Sequence, residues 1–188
     1  MVNIVDMVDS LIIPSVQNET DLEKAIQSKS SIVFILTGNL INMESYLNQL
    51  KKANKYTYIH MDFIEGLSNT KSAIKYIANV WKPTGIITTK ASMIKYAKAE
   101  KLKTIQRIFL IDHSAVLKGI ESSKACSPDA VEVLPGLMPT VIDQLSQKLE
   151  LPIIVGGLIS NKQDILSAIQ AGALAVSSGS PELWSLEL

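Results

Sequence analysis

The stretch "LPIIVGGLISNKQDILSAIQAGALAVSSGSPEL" (Leu151–Leu183) decides the fold. It holds two short apolar runs, "PIIV" (152–155) and "ALAVSS" (173–178), with a helical pattern between them. Asn161 is placed to cap the start of that helix, and Gly172 to end it as a C′ glycine. A helix joining two apolar runs is the crossover unit of a parallel sheet. Each run ends in small residues, Gly156-Gly157 after the first and Ser177-Ser178-Gly179-Ser180 after the second.

The same unit repeats upstream. Further apolar runs are "SLIIPSV" (10–16), "SIVFILT" (31–37), "YTYIHMDF" (56–63), "TGIITT" (84–89), "TIQRIFLI" (104–111) and "DAVEVL" (129–134). Helical patterns separate them. "TDLEKAIQSK" opens with Thr20 or Asp21 as a cap and sets Leu22, Ala25 and Ile26 on one face. "NTKSAIKYIANVW" groups Ile74, Ile77 and Ala78, and "PTVIDQLSQKL" groups Val141, Leu145 and Leu149. Eight strands, each followed by a helix, predict a small α/β protein of the closed (β/α)8, or TIM, barrel type, with an open doubly wound sheet as the competitor. At about 23 residues per unit the helices and loops must be short. No Pro/Gly-rich linker interrupts the pattern, so one barrel domain is expected over residues 1–188.

Composition narrows the function. The 188 residues are 47% hydrophobic and 19% charged, with zero net charge, which provides no global drive toward nucleic acid or membrane. Cys126 is the only cysteine, so no disulfide framework is expected and a cytoplasmic setting is. The opening "MVNIVDMVDSLIIPSV" lacks the basic start of a signal peptide, and no apolar run reaches the ~18 residues of a membrane span. Charge is uneven, however. Between Leu67 and Ile111 nine basic residues face one acid, Glu100, a local charge of +8 that the rest of the chain balances. Arg107 is the only arginine.

Ligands of (β/α)8 barrels bind where the strands end, so the polar residues there are the site candidates. On the third strand His60 and Asp62 differ by two and point the same way, with Glu65 following in the loop. The fourth ends in Lys90, the fifth carries Arg107 and ends in Asp112, and the sixth carries Glu132. Each has a plain structural alternative: a core pair for His60 and Asp62, an interior ion pair for Arg107 and Glu132, a helix cap for Asp112, a solvated Lys90. Collectively they describe a ligand pocket, since interior charges are costly unless paired or used. The two closing loops fall where many such barrels hold phosphate on backbone N–H groups, and there glycine permits close approach and serine adds donors. Lys71 and Lys75 lie on the helix after the third strand, Lys95 and Lys98 on the next, and Lys101 and Lys103 follow it. They form either a solvated face or the local footprint of a phosphate-backbone partner.

With these residues assembled, the chain resembles the glycerol-3-phosphate-responsive antiterminators of the bacterial glycerol uptake operon. The resemblance rests on "IHMDFIEGLS", "GIITTK", "TIQRIFLID", "SPDAVEVLPG", "PIIVGGLI" and "AGALAVSSGSPELW", in order from Tyr58 to Trp184. "PSVQNETDLEKAI" and "IVFILTGNLINM" look like the family's first two units. The resemblance implies a (β/α)8 barrel that senses glycerol 3-phosphate as a regulatory ligand, without a cofactor, and acts on leader mRNA. By that analogy Gly156, Gly157, Ser177, Ser178, Gly179 and Ser180 hold the phosphate, and His60, Asp62, Glu65, Lys90, Arg107, Asp112 and Glu132 line the pocket.

Two other readings stay open at this point. The same barrel can serve an isomerase or aldolase on a small phosphorylated substrate, with Lys90 as Schiff base or Glu132 as base. Against this, the loops are short, with no obvious lid, and two histidines with one cysteine show no metal-ligand spacing. A module that binds an acidic protein surface through the lysines is the third reading. The sequence leaves a homo-oligomer open.

Overall fold

A computed structural model describes residues 3–186. The first two and last two residues of the expected 1–188 domain lie outside the described residues. Eight parallel strands close into a barrel in sequence order: β1 (Ile12–Val16), β2 (Ile32–Ile35), β3 (Tyr56–His60), β4 (Gly85–Thr88), β5 (Lys103–Phe109), β6 (Ala130–Leu134), β7 (Ile153–Gly156) and β8 (Ala175–Ser178). The β1–β8 pairing, with Ile13 opposite Ser177, closes the circle, so the open-sheet alternative does not hold.

The helices after the strands are α2 (Glu19–Gln27), α3 (Met43–Lys52), α4 (Lys71–Tyr76), α5 (Ala91–Ala99), α6 (His113–Cys126), α7 (Pro139–Lys148), α8 (Lys162–Gln170) and α9 (Pro181–Trp184). Asn161 caps α8 by accepting from the Asp164 N–H at 3.0 Å, and Gly172 ends it with φ +99°. α2 starts earlier than its sequence indicates. Asn18, rather than Thr20 or Asp21, is the cap, accepting from the Asp21 N–H at 2.9 Å. Asp21 returns a bond from the Gln17 N–H at 3.1 Å, and this reciprocal bonding fixes the register.

The described residues form two apolar shells. Inside the barrel Ile13, Ile32, Phe34, Tyr58, Ile87, Ile105, Ile154 and Ala175 pack together. A short helix not expected from the sequence, α1 (Ile4–Met7), plugs the base, burying Ile4 and Met7 against this shell, where the Tyr58 hydroxyl meets Met7 Sδ at 3.6 Å. The larger shell lies between barrel and helices. Strand alternation carries the inner row upward from this apolar floor to Ser15, His60, Arg107, Glu132 and Ser177, all buried, so the top layer is polar. That layer is where the strands end.

Candidate ligand site at the barrel mouth

Arg107 and Glu132 are opposite residues on β5 and β6. Arg107 Nε donates to Glu132 Oε2 at 2.7 Å, and Glu132 is wholly buried. The other carboxylate oxygen, Oε1, accepts from Ser177 Oγ on β8 at 2.7 Å. The intervening strand passes between them as Gly156, where only glycine leaves Ser177 Oγ undisturbed. A Cβ there would collide with Ser177 Oγ and lie 3.4 Å from Glu132 Oε1. Gly156→Ala is therefore expected to break the Ser177–Glu132 bond at a cost of about 1–3 kcal/mol, read by urea unfolding. An unchanged unfolding midpoint would show that the loops have room the geometry denies.

Above this chain lies a cavity of about 390 Å³, lined by Arg107, Glu132, Gly157, Ser177, Ser178 and Gly179. Gln17, Leu36, Phe63, Phe109, Leu134 and Leu158 complete it. Gly157 adopts φ +74°, which glycine takes without penalty and which turns the chain over the mouth. Trp184 steadies the other loop, its Nε1 donating to the Ser178 carbonyl at 2.8 Å.

His60 lies behind the cavity wall. It is 1% exposed, and neither ring nitrogen has a hydrogen-bond partner among the described residues. Phe63 covers it, with ring centroids 4.3 Å apart, and the same phenyl ring faces the Arg107 guanidinium at 5.9 Å. Burial first, and Arg107 second, hold the imidazole down to about 3, against a weaker opposing pull from Asp62. The ring is thus neutral, with one unused donor and one unused acceptor.

Asp62 does not share a strand face with His60. β3 ends at His60, and Met61–Phe63 form a 3-10 turn that swings Asp62 toward β4. Its carboxylate is 3.9 Å from His60 Nδ1, too long for a hydrogen bond. It accepts instead from Thr88 Oγ1 at 3.1 Å, the Thr89 N–H at 2.9 Å and Thr89 Oγ1 at 3.1 Å. With its amide nitrogen donating to Asp62 Oδ1 at 2.9 Å, Asn69 presents its oxygen to Lys90 Nζ at 2.5 Å. Asp62 and Lys90 therefore clamp the loops after β3 and β4 and do not line the cavity. Lys90 is exposed at the start of α5.

The remaining candidates lie farther out. Glu65 is exposed, its N–H donating to the Gly38 carbonyl at 3.0 Å. Asp112 is the cap of α6, accepting from the Ala115 N–H at 2.7 Å, and it faces solvent. Ser180 flanks α9, with its N–H on Ser178 Oγ at 3.1 Å. Among the lysines, Lys71, Lys75, Lys95, Lys98 and Lys101 are exposed, while Lys103 is ion-paired with Asp129 at 3.1 Å. α4 packs on α5, bringing Lys71 Nζ over the Tyr96 ring at 5.9 Å. Lys98 Nζ donates to the Ser127 carbonyl.

Sequence reasoning missed Phe63 and Gln17. Phe63 reads as one more apolar strand residue, and Gln17 as the first polar residue of a turn; only the closed barrel puts them at one cavity.

A family model of glycerol-3-phosphate responsive antiterminators matches residues 12–184. The chain belongs to that family. It is 38% identical over 176 residues to the uncharacterized protein YgcP of Escherichia coli (strain K12), covering 93% of this chain and 92% of that one. The crystal structure of a glycerol uptake operon antiterminator regulatory protein from Listeria monocytogenes superposes with a TM-score of 0.92 at 32% identity, over 95% of this chain and 97% of the other. A glycerol uptake operon antiterminator-related protein from Thermotoga maritima gives 0.83 at 28%, over 93% and 98%. Antiterminator-family membership thus stands on a match spanning all eight strands.

Proposed function

We propose that this antiterminator-family barrel binds glycerol 3-phosphate at its mouth and, with the ligand bound, alters its hold on the leader mRNA of glycerol-metabolism genes. The observation that carries the reading is the Arg107–Glu132–Ser177 chain at the floor of a 390 Å³ cavity, beside an unpartnered neutral His60. Arg107 supplies the positive charge that a phosphate dianion needs. The small-residue loops at Gly156-Gly157 and Ser177–Ser180 let its oxygens approach backbone N–H groups. Glu132 accepts from a hydroxyl, and His60, reached when Phe63 swings aside, can do either, which suits a vicinal diol. No cofactor enters this reading.

The lysines of α4 and α5 are then the RNA-facing charges: Lys71, Lys75, Lys95, Lys98 and Lys101, with Lys103 partly neutralised by Asp129. The protein acts as a sensor without turnover, in the cytoplasm where mRNA is made. The barrel-enzyme reading gains nothing from Lys90, which is exposed and lines no part of the cavity. No helix among the described residues is long and apolar enough to cross a membrane.

Isothermal titration with glycerol 3-phosphate tests the ligand, with glycerol and inorganic phosphate as controls. Selective binding that is at least tenfold tighter than either control, with the ligand recovered intact, is expected. Consumption of the ligand would return the barrel to enzyme chemistry.

A further inference from the structure

The end of the barrel opposite the mouth carries a second cavity. A cleft of about 300 Å³ lies between the C-terminal end of α3 and the end of α4, where the described residues contribute Lys51, Lys55, Lys82, Asn48, Trp81 and Thr84 to its wall. No carboxylate is among the described residues that line it. Lys51 and Lys82 are exposed. Lys55 is held in place, its ammonium donating to the Ser28 and Ser30 carbonyls at 2.6 and 2.8 Å, and the acid that acts on it is Asp9, outside the cleft. Lys51 and Lys82 have no carboxylate among the described residues of the cleft wall to answer them, and two cations in one concave wall repel each other unless an anion joins them.

The backbone beside the cleft is irregular. α4 does not end normally but widens into a π turn, Ile77–Trp81, closed by the Lys82 N–H on the Ile77 carbonyl at 2.8 Å. Such turns occur frequently at functional sites. This one leaves Lys82 at φ +51°, a conformation lysine rarely adopts, and Lys82 lines the cleft together with Lys51. Trp81, edge-on to Tyr76 at 5.3 Å, forms the floor.

The cleft also shares its end of the barrel with other lysines. Helices run back from the mouth, so the end of α5 and the start of β5 bring Lys98, Lys101 and Lys103 to the same end of the barrel as the starts of β3 and β4. We propose that this cleft seats phosphates of the RNA chain, so that the RNA-binding surface runs from the faces of α4 and α5 onto the base of the barrel around Lys51 and Lys82. The inference rests on the RNA-binding reading above. It places RNA and small ligand at opposite ends of the barrel.

The test is fluorescence anisotropy of labelled leader RNA with the full chain and with Lys51→Gln/Lys82→Asn. These changes neutralise charge, and asparagine tolerates the left-handed backbone at 82. The pair is expected to bind RNA about tenfold more weakly, with a log–log salt slope shallower by about 0.7 for each phosphate no longer neutralised. Glycerol 3-phosphate titration should be unchanged, and Lys118→Gln/Lys124→Gln on exposed α6 sites should leave RNA affinity within twofold. If the double variant melts early, Lys51→Gln alone, on a helix surface, carries the test. Wild-type RNA affinity in the cleft variants would overturn the cleft and leave the RNA reading standing. A wild-type chain that binds no leader RNA would overturn both.

Discussion

Arg107→Ala is expected to lower stability by about 3–5 kcal/mol, because it leaves the carboxylate of Glu132 buried without its counter-charge. Ser177 Oγ alone cannot replace a guanidinium at 2.7 Å. Denaturant unfolding reads the loss directly. The double change Arg107→Leu/Glu132→Leu separates two roles. It removes both charges together, so most of the stability should return. Glycerol 3-phosphate binding should not return, because the charge that answers its phosphate is gone. If Arg107→Ala cost less than about 1 kcal/mol, the pair would be solvated in a way its burial does not allow.

His60→Leu is expected to do the opposite to stability. It replaces an imidazole with two unsatisfied nitrogens by a side chain of similar size that wants no partner. A gain of about 1–3 kcal/mol follows, alongside a loss of ligand affinity of about tenfold or more. A pH series isolates the cause. In the folded protein His60 is held at about 3, against an ordinary value near 6.5. The unfolded chain therefore binds a proton that the folded chain refuses. Above about pH 6.5 both states hold the ring neutral and this linkage costs nothing, whereas below it stability falls by up to about 1.4 kcal/mol per pH unit toward pH 3. The leucine variant should lack this component of the acid-side slope. If the two slopes coincide, or if the variant binds ligand normally, His60 is a core residue and no part of the site.

Only part of this architecture was legible in the sequence. The barrel was, because strand and helix periods alternate in order and Asn161 and Gly172 frame a crossover by local chemistry alone. The Arg107–Glu132 pairing could be anticipated as an interior ion pair. The strand register brings in Ser177 as its third member, and Gly156 as the strand residue slim enough to let the chain cross.

A period-two count misplaces Asp62 because it assumes that β3 continues past His60, whereas the 3-10 turn ends it. Its place at a strand end puts Asp112 in the expected pocket, although a cap explains it fully. The π turn is unreadable, since "IANVW" keeps a helical apolar period while the backbone widens. Lys51 and Lys82 fall on different units and line one cleft only once those units assemble, so no contiguous segment reveals it. Short-range patterns are legible. Contacts made by closure are not.

The affinity of the chain for glycerol-operon leader RNA, measured with and without saturating glycerol 3-phosphate, decides whether the barrel is a sensor. Sensing requires that the ligand favour one RNA-binding state, so affinity should change at least fivefold, and the RNA should change ligand affinity by the same factor. Glycerol should produce no shift. RNA affinity that is identical with and without the ligand, in a protein that binds both, would show that the two sites are uncoupled and the barrel is no sensor.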